Sequence, residues 1–306
     1  MTEQMLPNLS EDVATEPAAG LGGAYWWQGL KVQQLIAKSA VMLVLGAGVV
    51  VILIPFIWML AVSLMSEVEI YAYPPVWIPE RLIFQNYFDV VTTIPFFRLL
   101  RNTLYLSFGR VLGTVLSASL AAYAFARLRA PGRDKLFVLV LATMMLPTWV
   151  TLVPQFIIFS RLGWVPGYNP LIIPSFFGGG AFNIFLLRQF FMTIPFDYDD
   201  AAKIDGCGYF QTYWRIMLPL SAPALATVAI FSVMWSWNDF INPLIYLRSM
   251  EDSTLSLGLY FFQGVYNPEW SRLMAMAMLV CLPVVLTFFF AQRMFIQGVV
   301  ISGVKG

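Results

Sequence analysis

Six stretches of this chain are nearly free of charge over lengths that would cross a bilayer. Residues 39–66, 136–160, 162–187, 216–238 and 273–292 contain no Asp, Glu, Lys or Arg, and residues 102–126 contain only Arg110. A bilayer-spanning helix needs ~20 mostly apolar residues. Pro166 and Pro170 push the start of the fourth helix to about Leu171, and apolar character in the fifth runs past Asp239 to Leu247. The expected architecture is an all-α polytopic membrane protein. Its spans are expected at about 40–65, 102–126, 136–160, 171–193, 219–247 and 271–292. The linkers are short and leave no room for a second soluble domain.

Composition agrees. Hydrophobic residues make up 59% of the 306 and charged residues 11%, against ~25% charged in a soluble domain. This disfavours disorder, a nucleic-acid partner and an ordinary cytosolic enzyme together. Eighteen basic and 17 acidic residues give a net charge of +1, with no long-range pull on a polyanion. There is no histidine, which removes the commonest general base and the commonest zinc ligand. Cys207 and Cys281 make neither a disulfide framework nor a metal site and read as small apolar residues. No metal site is expected.

The first 38 residues differ from the rest. Residues 1–21 are polar and acidic, and they do not read as a signal peptide. Residues 24–39, with Trp26 and Trp27, fit an interfacial helix leading into the first span, or a solvated tail with a tryptophan anchor. Orientation follows from Lys and Arg in the short loops. With the N-terminus inside, eleven of them fall inside and six outside. The run Arg127-Leu-Arg-Ala-Pro-Gly-Arg-Asp-Lys135 is the clearest inside marker. An even number of spans puts the C-terminus inside as well.

Helix breakers recur within the spans: Pro147 and Pro154, Gly178 to Gly180, Pro223 and Pro243, and Pro283. Each proline removes a backbone donor. A break at membrane depth must be covered by protein or line a watery cavity. Such breaks favour a transporter or channel over a simple anchor.

The segment 194–219 between the fourth and fifth spans is the most informative. Asp197 is placed to cap a helix, with Asp199 and Asp200 in its first turn, where the helix dipole favours carboxylates. Gly206 supplies a stop. A two-turn helix is therefore expected in the loop, followed by another leading into the fifth span. Ala201 and Ala202 leave part of the short helix without bulk. That surface suits docking into a groove on another protein, and it equally suits a solvated loop helix.

Asp200-Ala201-Ala202, then Gly206, Ile216 and Leu218-Pro219, resemble the signature of the permease subunits of ATP-binding-cassette importers. The signature is Glu-Ala-Ala, three residues, Gly, nine residues, Ile, one residue, Leu-Pro. Asp200 replaces the usual Glu, keeping the charge and shortening the reach. The likeness extends to Asn102-Thr-Leu, to Ala121-Ala-Tyr-Ala-Phe-Ala-Arg127, to Trp237-Asn-Asp-Phe240 and to the tail from Ile296 to Gly306. These look like the second, six-span permease of maltose-type sugar importers. The resemblance implies a type I importer fold and a heterodimer with a paralogous permease in the cell membrane. It also implies two copies of a cytoplasmic ATPase below and a sugar-binding protein outside. ATP and Mg would sit on the ATPase, because this chain has no Gly-x-x-x-x-Gly-Lys-Ser/Thr loop. By resemblance, Asp200, Ala201, Ala202, Lys203, Asp205, Gly206, Ile216, Leu218 and Pro219 form the coupling set. Gln297, Gly298, Gly303 and Lys305 in the tail reach toward the ATPase interface.

Arg110 and Asp239 are the intramembrane charges, and with Asn238 and Asn242 they are candidates to line the path. They could pair. Alternatively Arg110 snorkels outward while Asp239 caps a break near Pro243. Tyr260, Phe261, Phe262 and Tyr266 lie in an outer loop, where aromatic rings suit either a binding protein and its sugar or the membrane-interface belt. An ion-coupled secondary transporter is the alternative function, and Asp239 is its one candidate coupling carboxylate. The orientation is testable by labelling single cysteines in intact cells. A cysteine near Gly132 should be shielded from an impermeant reagent and one near Gly264 should react. Reaction near Gly132 from outside would reverse the topology.

Overall fold

The computed structural model describes residues 30–263 and 269–303, with side chains for 34–263 and 269–289. The interfacial reading of Trp26 and Trp27, as well as Tyr266 and Lys305, lies outside the described residues. Every regular element among the described residues is helical. The chain divides at Phe56–Ile57 into two units.

The first unit is the greater part of α1 (Leu30–Ser63), a single helix containing Pro55. Its apolar side chains, such as Leu43, Val50 and Ile52, are largely exposed. Such a surface requires hydrocarbon or protein around it rather than water.

The second unit begins with the end of α1 and, among the described residues, continues through ten α-helices of six residues or more. They are α2 (Gln85–Thr93), α3 (Phe96–Arg127), α4 (Arg133–Ala142), α5 (Thr148–Arg161) and α6 (Ala181–Thr193). After them come α7 (Asp197–Ile204), α8 (Ala222–Trp237), α9 (Ile241–Tyr246), α10 (Leu255–Gln263) and α11 (Trp270–Gly303). Among the described residues four segments are long and apolar enough to cross a membrane: Gln34–Ser63, Phe96–Arg127, Asn169–Thr193, which is interrupted at residues 177–180, and Trp270–Phe289. Two more arise if each bent pair is one span.

The bends fall in the third and fifth spans, where prolines were expected to interrupt the helix. Arg133–Met145 and Thr148–Arg161 meet at 99°. Leu146 is extended there, because the ring of the following Pro147 excludes helical backbone. Tyr209–Leu220 and Ala222–Trp237 meet at 80° across Ser221. Pro223 then sits in the first turn of α8, where its missing N–H is no loss. Pro154 and Pro283 lie inside unbroken helices. The fifth span also stops at Trp237 rather than continuing to 247, and the chain resumes as α9. Helix α3 starts at Phe96, six residues before the charge-free stretch. Arg98 and Arg101 limit what can lie in hydrocarbon, but they do not terminate a helix.

Helix α3 is the centre of the second unit. Ala118, Ala122 and Ala126 recur every fourth residue and are buried against Ile184, Leu187 and Phe191 of α6. Small residues let two helix backbones approach closely, and in a membrane that contact replaces the hydrophobic drive. The turn before α6 comes just as near. Gly179 has φ +63°, and a Cβ there would lie 2.6 Å from the Thr114 carbonyl oxygen. The Ser117 hydroxyl donates to the Ser175 carbonyl at 2.8 Å. At the other end of α3, Leu99 packs with Trp237, Leu255, Phe262 and Met276. Asn102 donates to the carbonyls of Glu251 and Ser253, at 2.8 and 3.1 Å. The Leu255 N–H donates to the Thr103 hydroxyl at 2.9 Å.

Candidate functional site

Three polar side chains on α3, spaced four apart, hold the segment that follows α6. Residues at that spacing share one helix face. Ser119 and Tyr213 share a hydrogen bond of 2.8 Å between hydroxyls. The Tyr123 hydroxyl donates to the Tyr209 carbonyl at 3.2 Å. Arg127, in the last turn of α3, makes the strongest set. Its Nη2 donates to the carbonyl oxygens of Phe191, at 2.7 Å, and Ile194. Its Nη1 lies 3.1 Å from Oδ2 of Asp199 on α7. The ring of Phe196 covers the guanidinium, 4.4 Å from its carbon. The Arg127 side chain is 1% exposed. One cation therefore satisfies the carbonyls at the end of α6 and fixes the first turn of α7.

This arrangement corrects the expectation for Asp197. The helix cap is Phe196, with no side-chain hydrogen bond, and Asp197 is the first helical residue and exposed. The buried acid is Asp199. Burial pushes its carboxyl up from the usual range, and the charges of Arg127 and Lys203 pull it back. The other end of α7 closes as expected. Gly206 has φ +82°. Its N–H donates to Lys203 at 3.0 Å, and that of Cys207 to Ala202 at 2.8 Å. This double closure requires a left-handed residue, which glycine supplies without strain.

The two alanines part company. Ala202 is 1% exposed and packed within the chain, so it is not available to a partner. Ala201 faces outward, as do Tyr198 and Ile204, the latter 86% exposed. Asp200 pairs with Lys203 at 2.9 Å on this open face, and Asp205 is exposed beside them. Ile216 and Leu218 are half-buried, Leu218 against the core around α3, and Pro219 is exposed. Ile204, Tyr198, Tyr209, Phe210 and Trp214 form exposed apolar surface that the signature did not single out.

Arg110 and Asp239 are brought together. Arg110 Nη1 lies 2.6 Å from Asp239 Oδ2, and the carboxylate is nearly buried. Asp239 Oδ1 also accepts the Asn242 N–H at 3.2 Å, and the Asn242 amide donates to both carboxylate oxygens at 3.0 Å. Pairing and capping are thus one arrangement. The acid caps α9 across the break after Trp237 and pairs with α3. The Ser256 hydroxyl donates to the Asp239 carbonyl at 2.7 Å, adding α10 to the junction. Asn238 is exposed, its amide donating to Met234 at 2.8 Å. Asn242 spends its amide on Asp239. Tyr260 and Phe261 are exposed, whereas Phe262 is a core residue, 4% exposed. Gln297, Gly298 and Gly303 lie on α11.

These features define a class. The chain is a helical membrane component with broken spans, a charge pair at a break, and a short rigid helix presented at one end of its central helix. Residues 80–301 match the model of the binding-protein-dependent transport system inner membrane component family, and the chain belongs to that family. It is the permease component of an ABC-type importer. It is 35% identical over 229 residues to the arabinooligosaccharides transport system permease protein AraQ of Bacillus subtilis (strain 168), covering 74% of this chain and 81% of that one. It is 30% identical over 272 residues to the sn-glycerol-3-phosphate transport system permease protein UgpE of Escherichia coli O1:K1, covering 86% and 95%. A bacterial ABC transporter importing the acidic polysaccharide alginate contains a chain with the same fold, at TM-score 0.75 and 23% identity, with 85% and 97% coverage.

Two measurements test this geometry. Arg127→Met strands the Ile194 carbonyl, removes one of the donors to Phe191 and leaves Asp199 unpaired, and breaking a buried pair costs about 3–5 kcal/mol. Asp199→Asn should cost less. The folded state holds the Asp199 proton more tightly than the unfolded state, so this group's contribution falls as pH rises through its titration. A neutral amide relieves that penalty. Thermal unfolding of the purified complex at neutral pH should rank wild type, Asp199→Asn and Arg127→Met in that order, and equal midpoints would refute the account. For the second pair, Asp239→Asn should impair uptake, and exchanging the charges in Arg110→Asp with Asp239→Arg should restore part of it. A double variant no better than either single change would show that the residues act separately.

Proposed function

We propose that this chain is one of two paralogous permease subunits of an ATP-driven carbohydrate importer. In this reading two copies of a cytoplasmic ATPase dock on the α7 end, and a binding protein delivers substrate on the opposite side. The chain itself is not catalytic; ATP and Mg belong to the ATPase. The observation that carries the reading is the outward face of α7. Ala201 sits among Tyr198, Ile204 and the Asp200–Lys203 pair, on a helix whose orientation is fixed by Arg127. A helix that exposes Ile204 at its end, yet is tied to a span by a buried cation, suits a rigid contact better than a solvated loop. The saccharide class is supported by the relatives named for arabinooligosaccharides and by the fold shared with an alginate importer.

Closure of the ATPase dimer would move α7, and α3 would move with it. Arg110 lies ~25 Å further along α3, from the ~1.5 Å rise per residue. Its pairing with Asp239 would carry the displacement to the break between α8 and α9, where the spans alternate between inward- and outward-open states. Arg110 and Asn238 retain exposed surface that a sugar hydroxyl could meet. Ion coupling is the less favoured reading. Its candidate carboxylate, Asp239, is committed to Arg110 and Asn242.

Ala201→Asp tests the docking. It places bulk and an unpaired charge at a contact that would be desolvated, at a cost of several kcal/mol, whereas an exposed substitution stays within about 0.5 kcal/mol. The variant should insert normally and retain its partner permease, but lose co-purifying ATPase and sugar uptake. Normal ATPase recovery with normal uptake would make α7 a solvated loop.

A further inference from the structure

The chain between α1 and α2 forms a closed loop with an apolar tip. The Glu69 carboxylate makes its neck. Oε2 accepts the Ser66 N–H at 2.8 Å and the Ser66 hydroxyl at 2.7 Å, while Oε1 accepts the Glu80 N–H at 3.0 Å. The Ile83 N–H donates to the Leu64 carbonyl at 2.9 Å, closing the base. The Ser66 backbone hydrogen bond, its hydroxyl and the Glu80 N–H hold the Glu69 carboxyl below the usual range. Asn86 ties the base to the end of α1 by donating to Ser63 and Met65, both at 3.0 Å.

Residues 70–79, Ile-Tyr-Ala-Tyr-Pro-Pro-Val-Trp-Ile-Pro, contain no charge. The exposed side chains here are large and apolar or amphipathic: Tyr71 64%, Tyr73 96%, Trp77 65% and Ile78 82%. Water does not favour such a surface, and three prolines with the carboxylate neck prevent its collapse. Its position shows what covers it. Trp77 packs edge-on against Trp58, with ring centroids 5.0 Å apart. Trp58 lies five residues before the end of α1, beside Ile57 and Leu60, whose exposed faces belong to the span. The loop tip therefore continues the exposed apolar surface at the Ser63 end of α1, where that helix would leave the bilayer. Tyrosine and tryptophan concentrate at that level because their rings are amphipathic.

We propose that residues 71–78 are a membrane-interface anchor, lying in the lipid headgroup zone at the Ser63 end of α1. The occupant is the bilayer surface rather than a protein. The inference rests on the assignment of α1 as a span and is independent of the ATPase contact.

The test uses the assembled transporter in lipid nanodiscs, with Cys207 and Cys281 replaced by serine. Tyr73→Cys and, separately, Ile78→Cys are labelled with an environment-sensitive fluorophore, with Arg248→Cys as an exposed control. Quenching by a lipid spin-labelled near the headgroup should be several-fold stronger at 73 and 78 than at 248. Iodide in the water should quench them several-fold less. Equal iodide quenching at all three sites, with no lipid quenching, would overturn the anchor. So would shielding of 73 and 78 that appears only when the binding protein is added, which would make the loop a protein-docking surface. Neither result bears on the Ala201→Asp experiment, so the two readings fail separately.

Discussion

A buried arginine at the end of the central helix sets the geometry of the whole α7 end. Arg127 has to be paired, because an isolated guanidinium out of water is too costly to keep. Its partners come from two places in the chain: the last carbonyls of α6 and the Asp199 carboxylate of α7. The end of one span, the turn after another and the helix between spans are thereby locked into one body. The alanine stripe on the same helix brings α6 near enough for the arginine to reach. Ser119 and Tyr123 continue the polar face inward to the segment leading to α8.

The opposite half of α3 repeats the logic with different residues. Asn102, Thr103 and Ser107 bond to the loop after α9, to α10 and to α8. Arg110 reaches the helix break through Asp239. One helix thus carries polar contacts to other elements at both ends and small-residue packing between. That is the construction expected of a lever. Side-chain packing in a bilayer gains little from excluding water, so specific hydrogen bonds and close backbone contact fix the register.

Much of this was legible in the sequence. Charge-free runs located the membrane segments, and Gly206 stopped the short helix where a left-handed residue is needed. The spacing from Asp200 to Pro219 marked the segment that α3 holds. What was not legible depended on direction rather than composition. Arg127 read as a topology marker in a basic run, because a sequence does not show that its side chain turns inward beneath Phe196. Asp197 and Asp199 are equivalent as letters, and only the helix phase sends Asp199 to the arginine. Ala201 and Ala202 likewise separate by one step of rotation. Phe262 fell among loop aromatics but faces the core. The bend at Pro147 was marked by its proline, but nothing in the letters gave its angle of 99°.

The central claim is that α7 and the end of α3 move as a single body when the ATPase closes. Spin labels at Asp197→Cys and Leu120→Cys, both at exposed positions, report the distance between the two helices in the assembled transporter. Pulsed electron-spin measurements with no nucleotide, with ATP trapped and after hydrolysis should give one narrow, unchanged distance. Adding Arg127→Met should broaden it. A distance that shifts between nucleotide states with Arg127 in place would show that α7 pivots freely on α3, and the lever would be contradicted.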